Sequence, residues 1–273
     1  MIRNSLRVGI LSLVALFTVG VPLWMVVVNS FKTQTDAAGL GLGLPETWNA
    51  AANYREVIDA SRYGLGLGNS LLVTVVSLGI LLALGAPASW AFARSTSRWM
   101  RIFYTVSVFG VVLPPAVVPT VFLMRMIELQ GTRTALILYT IGSRIALVVF
   151  LLTGFCKGLP RELEEAAAVD GASRLRVFRS VVLPIMGPVV AATTIILVVL
   201  IWNDFYGPIF LLTGEGRATL PLGLYRLSSG INQANAWNLV FAHVVLVSLP
   251  LIITYLLAQR KILEGVTAGA VRG

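Results

Sequence analysis

Six long apolar runs alternate with shorter polar segments along the chain. A helix that crosses the hydrocarbon core of a bilayer needs about 20 mainly apolar residues, and each run is close to that length. The pattern predicts six membrane-spanning helices, at Val8–Val28, Asn69–Ala93, Ile102–Met126, Thr134–Cys156, Ile185–Ile201 and Trp237–Leu257. The sequence therefore predicts an all-α membrane protein with a single transmembrane domain, residues 1–273, whose core is 69–260.

The third run is unusual because it contains Pro114, Pro115 and Pro119. Proline has no backbone N–H to donate and clashes with the preceding turn. Prolines persist in membrane spans where neighbouring helices or water satisfy the freed carbonyls. We therefore expect this helix to bend beside a packed partner or a cavity.

The polar side chains that fall inside predicted spans include Arg144 and His243. A charged side chain at the centre of a bilayer costs at least about 2.5 kcal/mol, so Arg144 should face protein or water. A structural partner and a role in a translocation path are both open for it. His243 is expected to pack or hydrogen-bond inside the helix bundle.

Composition supports the membrane assignment and excludes several classes of protein. Hydrophobic residues make up 57% of the chain, charged residues 12%, and the mean hydropathy is +0.85, whereas about a quarter of the residues of a soluble protein are charged. The chain has one cysteine and one histidine, too few for a disulfide framework or a usual zinc site. It contains no Gly-Lys pair, which a phosphate-binding P-loop requires.

The net charge of +9 is interpreted as a signal of membrane orientation. Cytoplasmic segments of membrane proteins carry an excess of lysine and arginine. With the amino terminus inside, the predicted cytoplasmic segments hold 13 of the 21 basic residues. Both termini and the polar segment 157–184 are then cytoplasmic, while residues 29–68 form a long polar connection on the outside.

The segment 157–184 carries the densest cluster of charge in the chain. Pro160 suits a first helical position, and three glutamates follow in the first turns, where the helix dipole favours carboxylates. This arrangement predicts a short helix from Pro160 to Asp170. Gly171 is expected to end the helix, because a left-handed residue there lets the backbone reverse.

A second short helix is expected after this turn, with Ser173 as its cap. Helical spacing would place Leu175, Phe178 and Val182 on one face, away from the three arginines of the segment. Pro184 is expected to mark the break before the fifth span.

The same segment resembles the EAA loop of the permease subunits of bacterial ABC importers. The matching residues are Glu165, Ala166, Ala167, Asp170, Gly171, Phe178 and Pro184. In that family the loop lies on the cytoplasmic face and docks into a cleft of the ATPase subunit. The resemblance implies that Glu165 and Asp170 make polar contacts there, while the alanines and Gly171 allow close backbone approach.

The resemblance extends over roughly Asn53–Gly273 and is to the carbohydrate, maltose-type family of permeases. Further matching segments are Asn69-Ser70, Ala91–Arg94, Trp202–Phe205, Thr219–Gly223 and the tail 259–273. The tail is expected to be cytoplasmic and to reach the ATPase pair. The fold implied is that of an ABC type I importer permease.

The resemblance also implies the partners of the chain. They are two ABC ATPase subunits, a second homologous permease and an extracytoplasmic sugar-binding protein. The chain itself would be a non-catalytic, multi-pass subunit in a bacterial cytoplasmic membrane. It would bind no cofactor, since ATP and Mg would be held by the ATPase subunits.

A sugar pathway needs aromatic faces for the rings and polar side chains for the hydroxyls. The candidates are Trp202, Asn203, Asp204, Tyr206, Tyr139, Met124 and Asn238. Helix packing or interfacial anchoring is the other role open for each of them, and it is the more common one for such residues. The particular sugar is not specified: disaccharides, oligosaccharides, amino sugars and glycerol phosphate all remain open.

The main alternative is an ion-coupled secondary transporter of a small polar solute. Such a transporter uses intramembrane carboxylates, and Asp204 is the one carboxylate clearly near a predicted span. A membrane enzyme would need a nucleophile with a base or a metal cluster, and the scattered candidates form no such constellation. A channel is a further alternative, although no segment resembles a selectivity filter.

Overall fold

The computed structural model describes residues 2–229 and 236–270 of the chain, with side chains described for 7–214, 216–229 and 236–256. The helices are α1 (Ile2–Ala15), α2 (Val21–Asn29), α3 (Gln34–Ala37), α4 (Ala50–Ala60), α5 (Tyr63–Arg94), α6 (Arg98–Val112), α7 (Val117–Met126), α8 (Arg133–Lys157), α9 (Glu162–Val169), α10 (Arg174–Val177), α11 (Leu183–Ile185), α12 (Gly187–Trp202), α13 (Tyr206–Leu211), α14 (Leu220–Ser228) and α15 (Trp237–Ala270). Short π-helical segments at Leu16–Gly20 and Phe178–Val182 join α1 to α2 and α10 to α11.

The described chain forms two compact units. One comprises Met1–Gly68 and Ala218–Ile252, and the other comprises Asn69–Arg217 and Ile253–Gly273. The second unit contains α6 to α13 and the segment 157–184. For the tail 259–273, the helix α15 is described as far as Ala270, while its side chains and its last three residues lie outside the described residues.

Four helical segments are individually long and apolar enough to cross a membrane: Arg7–Asn29, Tyr63–Arg94, Arg133–Lys157 and Trp237–Leu256. Two further pairs pass the same test together, α6 with α7, bent by 112°, and Arg174–Ile185 with α12, bent by 72°. If each bent pair is one span, the described residues contain six. This count agrees with the all-α, six-span prediction.

The third span breaks where the sequence predicted only a bend. Pro114 and Pro115 lie in the non-helical gap between α6 and α7, where proline costs no helical hydrogen bond. Pro119 lies in the first turn of α7, where its missing N–H is again tolerated. The first two prolines therefore determine where the 112° bend occurs.

The connection at 29–68 is more ordered than a flexible polar linker. It contains α3 and α4, and the helix of the second span begins at Tyr63, six residues before the predicted start. The Asn53 side chain is buried and donates hydrogen bonds to the carbonyls of Ser30 (2.9 Å) and Lys32 (2.8 Å). Its amide thus ties α4 to the end of the first span.

Helix α8 lies at the centre of the second unit. Its buried face includes Val148, Val149, Leu152 and Cys156, and it packs against α6, α12 and α13. A Cβ added to Gly110 of α6 would lie 3.1 Å from the Cβ of Ala146, so these two helices approach closely. Small residues at such contacts let helix backbones come together inside a membrane.

A second close contact on α8 yields a stability prediction. A Cβ built on Gly85 of α5 would lie 2.4 Å from Cγ1 of Val148, whereas Gly79 of the same helix has open space. Gly85→Ala should therefore lower the melting temperature of the purified protein by several degrees, because overpacking costs about 1–3 kcal/mol. Thermal unfolding followed by tryptophan fluorescence measures the effect.

Gly79→Ala is the matched control and should be neutral or stabilising. The double variant Gly85→Ala with Val148→Ala should recover part of the lost stability, since the shorter side chain makes room for the new methyl. Equal melting temperatures for the two single glycine variants would contradict this packing.

Candidate functional site

The segment 157–184, called the EAA loop from here on, reverses direction at Gly171. Helix α9 ends at Val169, and Gly171 has φ +79°. The Gly171 N–H bonds to the carbonyl of Ala168 (3.0 Å), and the Ala172 N–H bonds to that of Ala167 (3.0 Å). These two bonds define a Schellman motif, which satisfies the last carbonyls of the helix.

The predicted first helix and its glycine stop are present, with the helix two residues shorter at its start than expected. Nothing lies within 4 Å of a Cβ built on Gly171. Within this chain, glycine is therefore required for its backbone conformation and not for lack of space, because only glycine adopts positive φ without a steric cost.

The second helix differs in detail from the prediction. Ser173 occupies the N-cap position, but its side chain makes no capping hydrogen bond. Leu175 is 58% exposed, so the buried face consists of Val177, Phe178 and Val182. The π-helical turn at Phe178–Val182 changes the position of Val182 around the helix relative to Leu175, so the simple helical period does not hold across it.

The chain does not break at Pro184. This residue lies in the first turn of α11, where proline is tolerated, and its side chain is exposed. The 72° bend comes two residues later, between Ile185 and Gly187. Met186 at the bend is fully buried, and its sulfur lies 3.5 Å from the sulfur of Cys156.

An ion pair fastens the EAA loop to the end of α5. The Arg94 guanidinium lies 2.7 Å from Oε1 of Glu164 and also donates to the carbonyl of Leu159 (3.0 Å). The Trp90 indole N–H donates to Oε2 of Glu164 (3.0 Å). Both carboxylate oxygens of Glu164 are thus used within the chain.

An aromatic contact lies beside this ion pair. The rings of Trp90 and Phe178 are 5.5 Å apart and tilted by 31°, a separation typical of favourable aromatic pairs. Phe178 was expected from the sequence to belong to the loop motif. The structure gives it a packing role against α5.

The neighbouring Glu165 takes no part in the ion pair formed by Arg94 and Glu164. It is exposed and lines a cavity of about 700 Å³ between the EAA loop and the end of α5. Ala166, Asp170 and Gly171 are also exposed, and Ala167 is half-buried. The loop therefore presents a compact surface of small and acidic residues to whatever lies beyond it.

The candidate pathway residues fall at several places. Trp202 is buried at the end of α12, Asn203 follows it and is exposed, and Tyr206 is 68% exposed at the start of α13. Tyr139 of α8 is buried against Gly207, whose added Cβ would lie 2.7 Å from the tyrosine ring.

Met124 and Asn238 are buried. Asn238 belongs to the other compact unit, where its side-chain amide donates to Oδ1 of Asn53 (2.8 Å). The buried His243 is in that unit as well, beside Gly223.

Asp204 is paired with Arg144. The Arg144 guanidinium lies 3.0 Å from Oδ2 of Asp204, and both side chains are at least 86% buried. The second oxygen, Oδ1, accepts the backbone N–H of Gly207 (3.1 Å). The structural partner that the sequence left open for Arg144 is therefore this carboxylate.

Two contacts were missed by sequence reasoning. In the sequence, Arg94 is an orientation signal and the end of a matching segment, and Glu164 is one of three first-turn carboxylates. Arg144 and Asp204 were each singled out but were not paired. An unpaired charge at a membrane boundary or inside a span is costly, so the sequence does indicate that each of these charged residues needs a partner.

These features define an all-α membrane protein whose membrane helices carry an anchored polar loop. The chain belongs to the family described as binding-protein-dependent transport system inner membrane component, whose model matches residues 73–266. It is thus a membrane permease subunit of an ABC transport system.

Several known permease proteins are similar to this chain along most of their length. The probable starch degradation products transport system permease protein AmyC of Thermoanaerobacterium thermosulfurigenes is 30% identical over 253 residues, covering 92% of this chain and 91% of that protein. The multiple sugar-binding transport system permease protein MsmG of Streptococcus mutans is 31% identical over 268 residues, covering 94% and 95%. The diacetylchitobiose uptake system permease protein NgcG of Streptomyces coelicolor is 30% identical, covering 92% and 84%.

A solved structure has the same fold. A chain in the crystal structure of a bacterial ABC transporter involved in the import of the acidic polysaccharide alginate superimposes with a TM-score of 0.80, covering 95% of each chain. The sequence identity is 22%, and the likeness therefore concerns the fold.

Proposed function

We propose that the chain is the permease subunit of an ATP-driven carbohydrate importer and forms half of its translocation pathway. The observation that carries the proposal is that two adjacent glutamates have different surroundings. Glu164 is bound inside the chain by Arg94 and Trp90, while Glu165 stays exposed on a loop whose shape is set by Gly171. A loop held rigidly at its base and exposed at its tip suits the transfer of movement from a docked subunit.

The partners we propose are two ATPase subunits, a second permease and an extracytoplasmic sugar-binding protein. Glu165 and Asp170 would contact the ATPase, with Ala166 and Ala167 allowing its close approach. ATP and Mg would be bound by the ATPase subunits, and this chain would carry out no catalysis. In the proposed orientation both termini and the EAA loop are cytoplasmic, in keeping with the excess of basic residues predicted for that side.

ATP binding would close the ATPase pair, and the docked loops would carry that closure to the spans. An effector can shift a conformational equilibrium only by its different affinities for the two states. The driving free energy must therefore come from ATP favouring the closed ATPase pair. Movement of the EAA loop would reach α12 through the bend at Met186.

A carbohydrate is proposed as substrate because the named relatives include permeases for starch degradation products, diacetylchitobiose and multiple sugars. Among the candidate pathway residues, Asn203 and Tyr206 are exposed and available for hydroxyls and a sugar ring. Trp202, Tyr139, Met124 and Asn238 are buried and would line the pathway only if the helices around them separate.

An ion-coupled transporter is less well supported. The carboxylate that such a mechanism would use, Asp204, is already paired with Arg144 and capped by the Gly207 N–H. A coupling carboxylate has to exchange its partner for an ion during each cycle. This pair instead has the contacts of a permanent structural element.

The test is purification of the tagged chain from its native cells in mild detergent, followed by mass spectrometry and reconstitution into liposomes. We expect an ATPase, a second permease and a binding protein to copurify, and maltooligosaccharide or chitobiose uptake to require ATP and the binding protein. Recovery of the chain alone under several mild conditions, with uptake driven by an ion gradient, would refute the proposal.

A further inference from the structure

The junction between α12 and α13 is a break in regular structure beside α8. Helix α12 ends at Trp202, and α13 begins at Tyr206. The last carbonyls of one helix and the first N–H groups of the next have no partners within their own helices. Where such a group is buried it needs a partner, because it is shielded from water.

Arg144 of α8 supplies a partner for the end of α12. Its guanidinium donates to the carbonyl of Leu200 (3.1 Å) and to the hydroxyl of the adjacent Ser143 (2.8 Å). Leu200 is among the last residues of α12, so its carbonyl is one of those that the helix itself cannot satisfy. One side chain of α8 therefore completes the end of α12.

Asp204 supplies a partner for the start of α13 and also binds Arg144. Its Oδ1 accepts the N–H of Gly207, the second residue of α13, and its Oδ2 accepts from Arg144 at 3.0 Å. Each oxygen of this carboxylate thus has a described donor. The two side chains together join the end of α12, the start of α13 and the middle of α8.

Packing at the same place leaves little room for sliding. A Cβ on Gly207 would lie 2.7 Å from the Tyr139 ring and 3.0 Å from a methyl carbon of Leu136, so α13 is in close contact with α8. Buried pairs of this kind fix one arrangement, since separating the charges leaves each one unpaired in a medium of low polarity.

We propose that Arg144 and Asp204 are positioning residues that lock α8, α12 and α13 into one body, so that movement entering through the EAA loop reaches the translocation pathway undiminished. This inference rests on the proposed function, and it assigns Asp204 to coupling and not to sugar contact. Loss of the lock would let ATP hydrolysis continue while α13 fails to follow α12.

The test measures sugar imported per ATP hydrolysed by the complete transporter in liposomes, with maltooligosaccharide as the substrate probe. The variants are Arg144→Met, Asp204→Asn and the double variant. Asp204→Asn keeps an oxygen for the Gly207 N–H and removes only the charge. Each single variant should lower the ratio about tenfold or more, because one buried charge is left uncompensated.

The double variant removes both charges and should recover a substantial part of the ratio, which is the non-additivity expected of a direct pair. Arg125→Met is the matched control, since Arg125 is an exposed arginine of α7, and it should leave the ratio unchanged. If a single variant fails to assemble, the double variant should still assemble, and this result also supports the lock.

The lock would be overturned by single variants with the wild-type ratio, or by a double variant no better than the singles in assembly and coupling. A changed sugar preference at an unchanged ratio would likewise overturn it, because it would place Asp204 in contact with sugar. Absence of ATP-driven uptake of every carbohydrate tested, by a wild-type transporter that includes the binding protein, would instead reject the proposed function. The failure of the lock and the failure of the proposed function are thus distinguishable.

Discussion

Replacing Gly171 by proline should abolish ATP-driven uptake while leaving the chain in the membrane. Proline requires φ near −65°, and Gly171 has φ +79° with its N–H bonded to Ala168. The substitution removes that bond and forbids the turn, which together cost at least about 3 kcal/mol locally. The loop then leaves the position in which its exposed residues meet the ATPase.

A graded series separates backbone conformation from bulk at this position. Gly171→Asn should retain most uptake, because asparagine tolerates the left-handed region, whereas Gly171→Ala should lose several-fold, at a cost of about 1–2 kcal/mol. Since a Cβ at Gly171 meets open space within this chain, crowding inside the chain cannot explain the order. Gly154 of α8 has equally open space in a regular helix, and Gly154→Ala is the control.

Initial uptake rates in liposomes, divided by the amount of assembled transporter, measure this series. The expected order of uptake is wild type and Gly154→Ala, then Asn, then Ala, with proline at background. Normal uptake by the proline variant would mean that the turn does not position the docking surface.

The second large effect is expected from Glu164→Lys. The new ammonium would face Arg94 where a carboxylate now binds both Arg94 and Trp90. Breaking a buried pair costs about 3–5 kcal/mol. The two side chains keep 16% and 15% of their exposure, so we expect a value at the lower end. Uptake should fall by more than tenfold, because the loop loses its attachment to α5.

The reactivity of Cys156 measures whether the EAA loop has lost its attachment to α5. Cys156 is the single cysteine of the chain, it is fully buried, and its sulfur lies beside Met186 at the bend that leads out of the loop. Maleimide labelling of this thiol, located by mass spectrometry, should be slow in the wild type and faster in Glu164→Lys. Glu162→Lys is the matched control, since Glu162 is an exposed carboxylate in the first turn of the same helix.

Charge reversal provides a second check on the same pair. The double variant Arg94→Glu with Glu164→Lys restores a pair of opposite charges. It does not restore the hydrogen bond that Trp90 donates to Glu164 or the one that Arg94 donates to the carbonyl of Leu159. It should recover part of the uptake and of the thiol protection. Equal labelling rates in the wild type and both single lysine variants would show that this ion pair does not anchor the loop.

Local features of the loop were predictable because they depend on neighbours in the sequence. The helix before Gly171 and the turn itself follow from dipole, capping and left-handed preferences that act within a few residues. The prediction failed at Leu175 and Pro184, where a π-helical turn shifted the helical spacing and the bend moved to Met186. Tertiary packing decides which neighbouring residues of a helix are buried. The spacing of apolar residues along the sequence does not include that information.

The long-range pairs could not be predicted from spacing at all. Glu164 lies 70 residues from Arg94, and Asp204 lies 60 residues from Arg144. Electrostatics predicts that each buried charge has a partner but does not identify it among the other ionisable residues. The number of spans was predictable because hydrophobic length is a property of each segment. The 112° break of the third span required the structure, since prolines indicate a bend without its angle.

The anchoring of Glu164 by Arg94 also has a consequence for the order of events during biosynthesis. Arg94 leaves the ribosome 70 residues before its partner. In the proposed orientation, Arg94 therefore acts as an unneutralised cation while the second span is being inserted, and it helps to retain its end of the helix in the cytoplasm. Once the EAA loop has been made, the same guanidinium becomes half of an ion pair. In that orientation, Arg94 first helps to set the topology of the nascent chain and later holds the EAA loop against the end of α5.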